Sequence, residues 1–383
     1  MLSDSQTIQN LKEIVHHFNI DGEVEYIKHY GSGHINDTYH VINTNQALPD
    51  YLLQRINSYV FKNVPLLISN IEIVTGHIKN KLKNIEGSFP DKQVLTLIKT
   101  QTGTSYFKDA EGNYWRMYIF LKDTLSYDVV TTIKQANEGG KAFGAFQSLI
   151  SDLNAKLIGE TLPDFHNIEM RLAKFKNALH EDSENRAGTI FSEIKFVTDR
   201  EKSMCAILEL GRNGKLPLRI THNDTKFNNV LLDKKNRAQC VIDLDTVMPG
   251  YIAYDFGDAI RTIVNTGSED EADISKIDVN LDLFKAFTKS FLKETARFLT
   301  HEEINSLPMG ALLLPYIMGV RFLTDYLEGD KYYKIHFPGH NLQRARAQFQ
   351  LLKKLEDNYC KLQTIVQDTA CRYGNITLIT NQL

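Results

Sequence analysis

The stretch RITHNDTKFNNVLLD, Arg219 to Asp233, packs a histidine, an aspartate, a lysine and asparagines into a short polar run and then turns apolar. A second group, IDLDT around Asp243 and Asp245, follows. NVLLD and AQCVIDLD read as apolar strands separated by KKNR, so they are expected to pair as a hairpin. With Asp233 and Ala238 flanking the turn, Asn229 falls opposite Ile242, next to Asp243. Asp224, Lys226, Asn229 and Asp243 are therefore expected to cluster. Two carboxylates and a carboxamide oxygen form a hard-oxygen set suited to Mg²⁺, completed by water and phosphate oxygens. A lysine beside them can neutralise a phosphoryl group in transfer, and the remaining aspartate can accept a hydroxyl proton. Any one of these residues alone would read as turn chemistry.

The elements that must hold this cluster follow from periodicity. As far as residue 121 the chain reads as an opening helix, a strand pair, a helix and another strand pair. EYIKHY and TYHVIN flank a glycine-containing turn, and DYLLQRIN is a third strand. VPLLISNIEIVTGHIKNKL places Leu67, Ile71, Val74 and Ile78 on one helical face. KQVLTLIKT and NYWRMYIFL complete a small mixed sheet. Beyond residue 122 the pattern is mostly helical: 131–153 despite Gly139 and Gly140, then 168–181, 192–211 and 277–362. The expected fold is α+β and bilobal, with a small sheet-rich lobe at 1–121 and a larger, mainly helical lobe at 122–383. There is no internal repeat or long linker.

Composition narrows the function classes. The chain has 383 residues, 42% hydrophobic and 24% charged, with a net charge of -3. That balance is ordinary for a globular chain and gives no broad basic field for nucleic acid. Cys205, Cys240, Cys360 and Cys371 lack C-x-x-C pairing and zinc spacing, which fits a reducing compartment. The N-terminus has no signal-peptide core, and GALLLPYIMGV is too short to span a bilayer. A cytoplasmic enzyme without membrane, nucleic-acid or obligate protein partner is expected.

HNDTKFNN fits H-x-D-x-K-x-x-N, similar to the catalytic-loop pattern of protein kinases. The aspartates at 224 and 243 are spaced much as the base and metal aspartates are there. With I-D-x-[DE] in place of D-F-G, the chain resembles the protein-kinase-like fold of aminoglycoside phosphotransferases and choline kinases. GSGHINDTY, LLQRIN, THNDTKFNNVLLD, CVIDLDTVMPG, YDFGDAIR and RFLTDYLEGD, in order from residue 31 to 330, together look like the N-acetylhexosamine 1-kinases within that group.

The resemblance implies roles. Asp224 would be the base for the acceptor hydroxyl and Lys226 would sit near the γ-phosphate. Asn229 and Asp243 would hold Mg²⁺, while Asp245 would either hold a metal-bound water or simply follow the strand. Gly31 and Gly33 would let backbone approach the nucleotide phosphates, although Asn36 stands where a third glycine belongs and an ordinary turn reads the same. Arg55 would replace the strand-three lysine, with Glu72 as a candidate partner. Backbone at Ile119, Phe120 and Leu121 would meet adenine. His34, Asp224, Arg321, Asp325 and Tyr332 would touch the sugar. His222 and Asp255 would support the loop, and Asp258 with Arg261 would lie behind it. The implied activity is ATP-dependent phosphorylation of the anomeric hydroxyl of GlcNAc or GalNAc, giving the 1-phosphate and ADP. The alternatives are a kinase of the same fold for choline, homoserine or another sugar, and a non-catalytic nucleotide sensor.

Overall fold

The structure is a computed structural model that describes residues 4–31 and 35–374. Its strands are β1 (Val24–His29), β2 (Asp37–Asn43), β3 (Tyr51–Ile56), β4 (Phe107–Lys108) and β5 (Tyr114–Ile119). They continue as β6 (Thr124–Leu125), β7 (Arg219–Thr221), β8 (Val230–Asp233), β9 (Ala238–Val241) and β10 (Met248–Gly250). The helices are α1 (Asp4–Val15), α2 (Val64–Leu82), α3 (Pro90–Gln93), α4 (Ile133–Ile150), α5 (Ile168–Glu181) and α6 (Phe191–Met204). After these come α7 (Ala206–Arg212), α8 (Ile252–Ile263), α9 (Leu281–Thr295), α10 (His301–Leu327), α11 (His340–Asp357) and α12 (Tyr359–Tyr373).

Two compact units emerge. One takes the chain as far as Leu125 together with Lys156–Pro163 and Leu231–Met248; the other takes Ser126–Ala155, Asp164–Val230 and everything from Pro249 onward. A single cut near residue 121 does not describe this, because Lys156–Pro163 and the hairpin from Leu231 onward group with the N-terminal unit.

The first unit is built on an antiparallel five-stranded sheet, ordered β1-β2-β3-β5-β4. Side chains alternate across it, and one face carries Val41, Tyr51, Leu53, Trp115 and Met117 against Leu11 and Val15 of α1. KQVLTLIKT forms no full strand: it makes isolated bridges at Leu97 to Tyr118 and at Thr100 to Phe18, with Ile98 N–H donating to the Met117 carbonyl at 2.8 Å. A second sheet, β6-β8-β9, pairs Thr124 with Asp233 and Leu125 with Leu232. Its β8–β9 turn is tightened by Asp233, whose carboxylate accepts from the Lys235 and Arg237 amides at 2.8 and 3.0 Å.

The second unit is helical. α4 opens with a capping box, Thr132 and Gln135. The glycines that weaken its sequence signal serve packing. A Cβ at Gly140 would come within 2.3 Å of the Phe287 carbonyl and one at Gly144 within 2.9 Å of that of Phe291, so α9 lies hard against α4. α10 is apolar enough to cross a membrane by length and composition, but 78% of its apolar window is buried inside the protein, as in a core helix. The expected single helix over 192–211 breaks at Cys205 into α6 and α7.

Candidate active site

The loop from His222 to Asn229 leaves β7 and returns through a single helical turn into β8. Asn223 lies in the left-handed region at φ 64°, a conformation that costs a non-glycine residue on the order of 1–3 kcal/mol and persists only where neighbours over-determine it. They do. Asp255, on α8, accepts from the His222 and Asn223 amides at 2.8 and 2.7 Å and from the Gln147 side chain at 2.6 Å. The Thr221 hydroxyl donates to Asn223 Oδ1 at 3.0 Å, and His166 Nε2 to the Asn223 carbonyl at 3.0 Å. His222 is fully buried, edge-on to Phe143 and Phe146, and its Nδ1 accepts from the Asp224 amide at 3.3 Å. Phe227, 1% exposed, wedges the returning turn against Gly139.

This scaffold leaves the Asp224 carboxylate reachable at 23% side-chain exposure. Lys226 Nζ lies 3.2 Å away, and Asn229 Nδ2 donates to the Asp224 carbonyl at 2.8 Å and to Oδ2 at 3.1 Å. Burial opposes ionisation of Asp224, but Lys226 and then His222 outweigh it and hold the group below the usual carboxylate range. It is a carboxylate at neutral pH. Behind it, burial pushes Asp258 upward despite the Arg261 guanidinium at 3.0 Å, and Asp258 Oδ2 is buried with no partner.

In the first unit, Asp243 stands just past β9, also left-handed at φ 59°. Two residues on, Asp245 has a different part from the expected share in metal binding. It is 2% exposed, and both its oxygens are taken by the Arg116 guanidinium, in an ion pair with Nη1 and a 3.0 Å bond from Nη2. Asn36 Nδ2 adds a 2.7 Å bond. Arg116 Nε donates to Gln54 Oε1 at 2.9 Å, and Gln54 Nε2 to the Thr38 hydroxyl at 3.0 Å. The Thr161 hydroxyl donates to the Asp245 carbonyl at 2.9 Å. Asp245 thus joins the loop after β1 to the sheet. Asn36 in the third-glycine position has a reason: its side chain is a bridge, which glycine could not supply.

Arg55 requires a correction. Strand alternation puts it on the face of Leu53 and Trp115, opposite Asp37 in register, where the pair is roughly half exposed. Gln54 and Arg116 occupy the other face. Glu72 pairs with Lys99 and accepts from Ser105 at 2.6 Å, so it has no tie to Arg55. The Ile119 and Phe120 amides donate to the Thr96 and Asp50 carbonyls at 3.0 and 2.8 Å, which makes them unavailable to a base. The Leu121 carbonyl accepts from Thr124 at 2.9 Å. Gly31 has φ 79° with open space around it, so its constraint is backbone conformation. Gly33 and His34 lie outside the described residues.

Of the expected sugar contacts, Asp325 is structural. Its carboxylate accepts from the Tyr332 and Tyr333 amides at 2.7 and 2.9 Å and from Asn341 at 2.8 Å, which shapes the loop after α10. That loop presents Tyr332 at 53% exposure. Arg321 is part-buried, its guanidinium 5.3 Å from the Phe165 ring and 5.5 Å from that of Tyr333. Phe165 precedes His166, whose imidazole holds the loop that carries Asp224. Arg116 and His166 have no motif in the sequence to mark them. Arg116 carried a faint signal, a lone charge in an aromatic strand.

No group of three or more His, Cys, Asp or Glu side chains among the described residues could hold a metal unaided. The donor set fits a cation that relies on phosphate and water: Asn229 spends its amide hydrogens on Asp224, so its remaining donor atom is the carbonyl oxygen Oδ1.

Residues 27–278 match the phosphotransferase enzyme family, the one that includes the aminoglycoside phosphotransferases. Solved structures show the same kinase-like fold at low identity. A microcompartment-associated aminopropanol kinase is 14% identical with a TM-score of 0.63, covering 93% of this chain and 98% of that one. An aminoglycoside phosphotransferase from Alicyclobacillus acidocaldarius is 11% identical with a TM-score of 0.60, covering 95% and 96%. A choline kinase from Cryptosporidium parvum is 14% identical with a TM-score of 0.57, covering 95% and 99%.

Proposed function

Since the chain belongs to the phosphotransferase enzyme family, we propose that it transfers the γ-phosphoryl group of ATP to the anomeric hydroxyl of an N-acetylhexosamine, releasing ADP and the sugar 1-phosphate. The observation that carries the reading is Asp224, a carboxylate kept ionised on a loop whose strained backbone is fixed by Asp255 and His166. An ionised aspartate in that setting orients the acceptor hydroxyl and takes its proton as the oxygen attacks phosphorus. Lys226, 3.2 Å from it, meets the charge that builds on the transferring group. Asn229 and Asp243 are the residues that would hold Mg²⁺, which supplies charge shielding for the phosphates. The glycine loop containing Gly31, together with backbone near Leu121, would receive the nucleotide.

The acceptor assignment rests on Arg321. Its guanidinium lies against Phe165 and Tyr333 in the same unit as Asp224. A planar donor beside aromatic rings suits hydroxyl and carbonyl oxygens and opposes an ammonium alcohol. Tyr332, exposed with its ring 4.8 Å from that of Tyr333, adds a hydroxyl.

The test is ADP release with Mg-ATP across N-acetylglucosamine, N-acetylgalactosamine, glucose, galactose, choline and homoserine. Turnover on the N-acetylhexosamines, with phosphate at C1, is expected. Turnover on choline or homoserine alone would keep Asp224 as the base and remove the sugar from the reading.

A further inference from the structure

Around Phe165 and His166 the second unit holds more positive charge than its own acids answer. Arg171, on α5, donates from Nε and Nη2 to the Phe165 carbonyl at 3.3 and 2.8 Å. Arg321, on α10, faces the Phe165 ring from 5.3 Å. Both guanidiniums thus converge on one residue. Among the described residues no salt bridge joins either of them to a carboxylate, although most of the chain's partly buried arginines have one. Burial first, and then Arg321, pull Arg171 down to about 10. Two like charges at a part-buried site are costly unless something accepts from them.

Two buried polar atoms beside them also lack partners. His166 is 6% exposed, and its Nε2 must carry the proton it gives to the Asn223 carbonyl, so Nδ1 is a bare acceptor with nothing bound. The Tyr333 hydroxyl, on the ring that Arg321 also faces, is buried without a partner. What stands unanswered is therefore two guanidinium charges, bonded only to the neutral Phe165 carbonyl and Met318 sulfur, with one neutral acceptor and one hydroxyl. Their complement is a polyol that also carries an exposed carbonyl oxygen. His166 links this group to the base, since the carbonyl it holds belongs to the residue before Asp224.

We propose that Arg171 and Arg321 together form a carbonyl-oxygen subsite that reads the acyl group of the acceptor, so that N-acylated amino sugars are taken and their free-amine counterparts refused. This rests on the sugar-kinase reading above and names the determinant within it. A neutral acetamide offers its oxygen to the two guanidiniums. A free amine, protonated, would bring a third positive charge to them.

The experiment is steady-state kinetics of the intact chain with Mg-ATP on N-acetylglucosamine and glucosamine, the latter kept as its ammonium form, with Arg171→Met and Arg171→Lys. Arg171→Met should lower kcat/KM on N-acetylglucosamine about tenfold or more, mainly through KM, as expected for a lost bond from a charged donor. The same change should raise relative turnover of glucosamine. Arg171→Lys, which keeps the charge and the fold but not the fork, should keep glucosamine excluded while weakening the acetamide contact. A melting temperature for each variant separates binding from folding. Equal losses on both substrates, or an unchanged ratio, would overturn the subsite while leaving the kinase reading standing. No turnover of any N-acetylhexosamine by the parent chain would overturn both.

Discussion

The loop carrying Asp224 and the turn carrying Asp243 and Asp245 solve one problem by two routes. Each sets a polar residue in left-handed backbone, Asn223 at φ 64° and Asp243 at φ 59°. The first is held mainly by one buried carboxylate, Asp255, that accepts backbone amides. The second is followed by a carboxylate neutralised by a buried guanidinium, Asp245 with Arg116. Hydrogen bonds to backbone fix a conformation whatever the side chain that follows, and so leave Asp224 free to do chemistry. An ion pair consumes its carboxylate, which is why Asp245 supports and does not ligate.

The contrast is open to test at both ends. Asp224→Asn keeps size and loses the base, so kcat should fall by about 10²–10⁴ with the melting temperature nearly unchanged. Retained turnover in an ADP-release assay would remove Asp224 from its role. On the other side, Arg116→Met strands the buried Asp245 carboxylate. The chain should lose roughly 3–5 kcal/mol in denaturant unfolding, and Arg116→Met with Asp245→Leu should recover much of it. A double variant no better than the single would mean that the pair is not the unit of stability.

His166 gives the same loop a pH signature. Burial pulls its pKa from 6.5 to about 3, against the Asn223 carbonyl that favours the proton. The folded chain therefore keeps it neutral while the unfolded chain binds a proton below about pH 6.5. Stability then falls as pH drops from 6.5 toward 3, by up to about 1.4 kcal/mol per pH unit from this group. His166→Gln keeps a donor for the carbonyl and cannot titrate, so its melting temperature should decline less steeply over that range. An unchanged slope would assign the acid sensitivity elsewhere.

These differences track what the sequence can show. HNDTKFNN and its hairpin were legible because the residues that cooperate are neighbours along the chain, and a local pattern carries them. The sheet-then-helix order was legible through period-two and helical spacing, whereas the return of Lys156–Pro163 and Leu231–Met248 to the first unit was not. Arg116 was not, because its partner lies 129 positions away and a strand of aromatics disguises one charge as core. His166 sits between elements in a stretch without periodicity, and Arg171, in the first turn of α5, reads as an ordinary charge on a helix. Asp325 was misread because a carboxylate at a helix end looks the same whether it binds a ligand or, as here, the amides of the following loop.

Arg55 is where pattern and parity conflict, and its test is the gentlest. Motif order assigns a cation on β3 to the nucleotide, but alternation gives that face of the sheet to Gln54 and Arg116 and leaves Arg55 beside Trp115, paired with an equally exposed Asp37. Exposed pairs contribute about 0–1 kcal/mol. Arg55→Ala should then cost no more than that in stability and leave KM for ATP within about twofold, since a residue on the α1 face meets no phosphate. A rise in KM of an order of magnitude or more would return Arg55 to the nucleotide. It would also mean that β3 presents the opposite face when ATP is bound, a one-residue shift of register that would carry Leu53 out of the core. That cost makes the small effect the expected one.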